Sequence, residues 1–156
     1  DAANSPGETM KTVWTALLAK AERTLRDALL RLAEINRRRE NSLIQEEKVS
    51  ALLLDYNQQL QALQQRDHSA TEVNNYRHFI VQLQELKTRA KQEQNRIDIE
   101  LQLARQILVS AERERMKVDQ LATRAEEKEQ RESHSRETRS LDAQAIQQHN
   151  FRARIS

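Results

Sequence analysis

From residue 10 to about residue 125, apolar positions along this chain return every seven residues in paired columns. In the first half, Leu18, Leu25, Leu32, Leu53 and Leu60 form one column, with Arg39 and Glu46 interrupting it. Three residues on, Ala21, Ala28, Ile35, Ser42, Val49, Tyr56 and Leu63 form the second. Two columns at these offsets are the seam of a coiled coil, because an α-helix brings such positions onto one narrow stripe. The stripe lapses between Asn36 and Lys48, which predicts the weakest stretch of the pairing.

The second half repeats the design. Tyr76, Leu83, Ala90, Ile97, Ala104, Ala111, Val118 and Ala125 run on without a polar intruder. A companion column starts three residues on, at Phe79 and Leu86, and later lies four residues on, at Leu101 and Leu108. Such a change of offset predicts a local phase shift in the seam.

Punctuation between the halves predicts where the chain reverses. Ser5-Pro6-Gly7-Glu8 reads as a capping box with Pro at the first helical position. Ser69 with Glu72 is a second capping box, so the turn is expected over Arg66-Asp67-His68-Ser69-Ala70-Thr71. Folding about residues 68 and 69 pairs residue i with roughly residue 137 minus i. The polar lapse of the first helix then meets the polar stretch around Lys91 to Arg96, and Val13 and Trp14 meet the neighbourhood of Ala125. Both matches favour an antiparallel hairpin over a continuous self-associating helix.

The fold class is therefore all-α: two long helices forming an antiparallel coiled-coil hairpin, the second helix longer. Residues 1–9 read as an N-terminal tail, native or left over from cloning. Residues 10–145 form the hairpin, and 146–156 a frayed C-terminal tail. At ~1.5 Å per residue the second helix approaches roughly 120 Å and the first roughly 85 Å. Past Ala125 the run Glu126-Glu127-Lys128-Glu129-Gln130-Arg131-Glu132 supports a lone helix by pairs three or four apart.

Composition sharpens this picture. The chain has one Gly and one Pro, 3% aromatic and 32% charged residues, a profile of long solvated helices. Mean hydropathy is −0.90, and only the sustained periodicity argues against disorder. Basic and acidic residues number 26 and 24, a net charge of +2. So balanced a field does not collect nucleic acid. Cysteine is absent, which removes disulfides and thiolate zinc sites and fits a reducing compartment. The longest apolar run, Ala51 to Leu54, is far short of the ~20 residues that span a bilayer. Nor does the start show the basic and apolar regions of a secretory signal.

Catalytic chemistry finds no foothold. His68, His78, His134 and His149 are scattered without metal-ligand spacing and read as solvated side chains. The single Gly, Gly7, rules out a Gly-rich phosphate loop. Carboxylates on a pair of helices have no cleft to desolvate them. Neither enzymatic activity nor a cofactor is expected. Arg37-Arg38-Arg39 sits beside Glu40, Glu46 and Glu47 and reads as a solvated face. Trp14 reads equally as a cap on the seam or a partner contact, and Tyr56 as packing. Tyr76, Phe79, Ile80, Leu83 and Leu86 make a band wider than a two-stranded seam covers, so part of it should stay exposed; it reads equally as a docking surface and as broad hairpin packing.

Leu54-Asp55-Tyr56-Asn57 and the segment Asn75-Tyr76-Arg77-His78-Phe79-Ile80-Val81-Gln82-Leu83 resemble the FliJ family of flagellar type III export stalk proteins, with YscO and HrpO-like counterparts in injectisomes. Arg136-Glu137-Thr138-Arg139-Ser140-Leu141-Asp142-Ala143-Gln144-Ala145 is similar to that family's late basic-x-Leu-Asp-Glu-x-Ala stretch, with Ala143 where the acid is usual. The resemblance runs from Met10 to Ala145. It implies a cytoplasmic, non-enzymatic stalk whose paired termini enter a hexameric export ATPase. It also implies contact with the cytoplasmic domain of the export gate, handling of export chaperones, and membrane proximity only through those partners. Carried over, the gate-contacting face is Phe79, Leu83, Leu86 and Ala90; the last two depart from the family residue types. The rival expectations are a structural scaffold or homodimer and, more remotely, an RNA-binding arm.

Overall fold

The computed structural model describes residues 6–66 and 69–155, and they form two helices, α1 (Pro6–Gln64) and α2 (Ala70–Ile155). They pack as an antiparallel hairpin with α2 the longer. Pro6 opens α1 at the position where a missing N–H costs nothing, with Glu8 in the first turn. The tail expected over 1–9 is thus helical from Pro6; Ser5, the expected cap, lies outside the described residues. Gln65 and Arg66 donate their N–H groups to the Ala62 and Leu63 carbonyls, tightening the end of α1. Asp67 and His68 also lie outside the described residues. Beyond them Ser69 caps α2 as its sequence predicted: its Oγ accepts from the Glu72 N–H at 3.2 Å, and its carbonyl accepts from Val73.

At the far end α2 continues to Ile155, so the stretch expected as a tail is helical as far as that residue. No Gly or Pro interrupts it, and Arg152 and Arg154 in the last turn complement the helix dipole.

The chain divides into two compact units, one joining Asp1–Arg26 with Ser110–Ser156, the other Asp27–Val109. In the first, Ala21, Ala111 and Val118 are buried, with Leu18, Leu25, Leu121 and Ala122 half-buried around them. Residues 134–155 are exposed throughout. In the second unit the core separates into two clusters. Ile35, Ile97, Leu101 and Ala104 form one, with Leu32 packed against it. Leu53, Ile80 and Leu83 form the other, supported by Val49, Tyr56 and Leu60. Both clusters follow the predicted fold-back register.

The α2 seam needs a correction. No phase shift occurs: the companion column is Val73, Ile80, Lys87, Gln94, Leu101, Leu108, Arg115, Ala122 and Glu129, all buried or half-buried at constant spacing. Phe79 and Leu86 stand outside it, on the flank. Lys87 and Arg115 occupy seam positions with their aliphatic stems, as long cationic side chains do.

Polar residues also occupy the lapse in α1. Arg38 reaches Glu100 at 2.6 Å and Glu93 at 3.6 Å, and Arg39 reaches Asp98 at 3.1 Å. Gln94 donates to the Glu46 carboxylate, and Ser42 is buried. Arg38 and Arg39, expected on a solvated face, are instead cross-helix partners.

Candidate functional site

The most developed surface feature of the second unit is an aromatic and aliphatic flank beside the seam. Its foundation is Tyr56, whose ring lies 4.7 Å from Phe79 and 5.9 Å from Tyr76, both tilted. Tilted rings at these separations are favourable beyond their buried area. The Tyr76 hydroxyl lies 3.0 Å from Gln59 Oε1 and donates to it, tying α2 back to α1. Three aromatic rings thus brace one another across the helix pair. Phe79, at the edge of this cluster, remains 40% exposed.

The four residues singled out from sequence separate into two classes. Phe79 and Leu86 are exposed, the latter by 47%, and present apolar surface to solvent. Leu83 is only 4% exposed, since it packs with Leu53 and Ile80 in the seam. Ala90 is half-buried on the same seam column. A partner laid on this flank would touch Phe79 and Leu86, while Leu83 supports the surface from beneath.

A fifth residue belongs to the flank and was not singled out from sequence. Arg38 faces Glu100; two repeats along α1 stands Leu52, and two repeats back along α2 stands Leu86. The same register places Leu52 opposite Leu86, and Leu52 is exposed by 45%. Its seven-residue spacing from Arg38, Gln45 and Gln59 was the available signal. Among those positions it is the one large aliphatic residue.

In the first unit, Pro6, Met10, Trp14 and Leu18 face Ala122 and Ala125 across an open groove of about 440 Å³, rimmed by Asp119, Glu126, Glu129 and Lys128. Trp14 is half-buried there and Val13 points to solvent, so only Trp14 meets the Ala125 neighbourhood as expected. Gly7 lies against Glu129, where a Cβ would press on the carboxylate. His78, His134 and His149 are exposed; His68 lies outside the described residues. Among the described residues no group of three His, Asp or Glu side chains could hold a metal ion. No described helix is long and apolar enough to cross a membrane.

The family model described as "Flagellar FliJ protein" matches residues 11–154. The chain belongs to the FliJ family. That makes it a flagellar export-related protein with protein partners, from a family of non-enzymatic structural and export proteins. No curated protein and no solved structure matches it. Within this FliJ-family chain, the Asn75-to-Leu83 segment that carried the resemblance forms the braced aromatic flank. The second segment, Arg136 to Ala145, lies on the exposed end of α2.

Proposed function

We propose that this chain is a non-enzymatic, cytoplasmic stalk and adaptor that couples the hexameric export ATPase of a flagellar type III export apparatus to the cytoplasmic domain of the export gate, and that also handles export chaperones. The observation that carries the reading is the exposed apolar flank at Phe79, Leu86 and Leu52, held rigid by the Tyr56–Tyr76–Phe79 packing. A preorganised apolar patch loses little side-chain freedom on binding, which is what a docking surface needs. The chain supplies shape and contacts, not reacting groups. Family membership over nearly the whole chain supports the export setting.

The ATPase would engage the end bearing Trp14 and the exposed stretch of α2, well removed in sequence from Phe79. This assignment is tested by mixing the purified chain with the export ATPase and crosslinking from single cysteines, which the native sequence lacks. Labels at Lys11 and Gln144 are expected to capture the ATPase and a label at Gln82 to capture none. Capture from Gln82 alone, or from no position, would reject the arrangement.

A structural scaffold that self-associates is the second reading, favoured by the exposed aliphatic row Ile99, Leu103 and Ile107 on α2. Sedimentation at several concentrations separates the two. A persistent dimer at low concentration supports the scaffold, a monomer the stalk.

A further inference from the structure

The seam columns repeat every seven residues, and so would many of their contacts if one helix slipped by one repeat. Layers of Ala, Leu and Val would meet like residues again, whereas the Ile35 layer, the Tyr56–Tyr76–Phe79 contacts and the layers holding Lys87, Gln94 and Arg115 would not; slipped one way, Ile35 meets Gln94 in place of Leu101. The turn need not forbid a slip, because unwinding one turn of α1 while winding one onto α2 absorbs it. Something that does not repeat must therefore hold the register.

We infer that the polar insert in the middle of the hairpin is a register lock, with Arg39 and Asp98 as its key. Arg39 occupies a seam position and reaches sideways to Asp98 on the flanking column of α2. That flanking column reads Arg77, Gln84, Lys91, Asp98 and Arg105. Between Arg77 and Arg105 Asp98 is its one acid, with a cation one repeat away on either side. A slip in one direction sets Arg39 against Lys91, and a slip in the other sets it against Arg105. Each exchanges attraction for repulsion, so discrimination exceeds what the pair contributes to stability alone.

The neighbouring pairs strengthen the lock unequally. In the slip toward Arg105, Arg38 exchanges Glu93 and Glu100 for Glu100 and Ile107, and Glu46 exchanges Gln94 for Leu101. Glu46 would then lie against an aliphatic side chain, a costly place for a charge. In the slip toward Lys91, Arg38 keeps Glu93, and Glu46 gains Lys87. That direction is the weaker side of the lock, defended by Arg39, the Ile35 layer and the Tyr56–Tyr76–Phe79 contacts. Polar seam residues elsewhere fix coiled-coil register in the same way, giving up some stability for uniqueness.

Charge-neutral exchange tests this directly. Lys91→Asp combined with Asp98→Lys moves the acid one repeat without changing net charge. Register is read with two cysteine pairs at a distance from the lock. Ala28→Cys with Leu108→Cys reports the native register, one repeat out from the Ile35–Leu101 contact. Ala28→Cys with Leu101→Cys reports the slip. The ratio of slipped to native disulfide is expected to rise roughly tenfold in the exchanged variant, with helicity retained. The single variant Asp98→Asn, which preserves shape and removes the charge, should raise it severalfold and covers the case in which the exchange unfolds the pair. A ratio unchanged in Asp98→Asn, or unchanged in a folded exchange variant, overturns the proposal.

Discussion

Ile97→Ala is expected to lower stability by about 2–5 kcal/mol, seen as a large drop in the melting temperature of the helical signal. Ile97 is 2% exposed and packs with Ile35, Leu101 and Ala104. Removing its side chain leaves a cavity in the cluster that joins the two helices there. Against a total of roughly 5–15 kcal/mol for a folded domain, the loss is severe. The control lies two residues away on the same helix: Ile99 is 62% exposed. Ile99→Ala removes the same atoms, costs no packing and gains helix propensity, so its effect should stay within about 0.5 kcal/mol. Equal melting temperatures for the two variants would mean the seam is not the one described.

Phe79→Ala should weaken binding to the cytoplasmic domain of the export gate by roughly 30-fold or more while lowering stability by only about 1 kcal/mol, the worth of its ring contact with Tyr56. Aromatic anchors in apolar patches typically contribute at least about 2 kcal/mol to binding, and ~1.4 kcal/mol is a factor of ten. Leu83→Ala should behave differently. Buried with Leu53 and Ile80, it supports the surface from below, so its truncation should lower stability by about 2–4 kcal/mol and weaken binding only as the flank loosens. Titration by calorimetry, alongside thermal melts of both variants, separates the roles. Strong loss of affinity from Leu83→Ala at unchanged stability would place the docking surface elsewhere.

How far the chain could be read in advance depended on whether a feature was local. Helix α1, its paired columns and the Ser69–Glu72 cap are properties of neighbouring residues, and they were legible. The fold-back register was legible too, because the polar lapse between Asn36 and Lys48 had a matching polar stretch around Lys91 to Arg96. The α2 companion column was misread for a physical reason. Following large apolar side chains led to Phe79 and Leu86, whereas the seam is continued by Lys87 and Gln94, whose polar ends escape or pair while their stems pack. The role of the arginine run was hidden because a cation's meaning depends on the acid across the gap. Arg38 and Arg39 look solvated until Glu93, Asp98 and Glu100 are placed opposite them. Leu52 was overlooked for a related reason: its interest comes from Leu86 on the other helix.

The far part of α2, residues 134–155, is helical and exposed throughout. Helices of that length in water are marginal, held by propensity and side-chain pairs. Its melting is therefore thermodynamically separate from that of the paired region. Whatever grips this end must supply the free energy to order it, and releasing it leaves the rest of the molecule undisturbed. A grip of that kind would be reversible by construction.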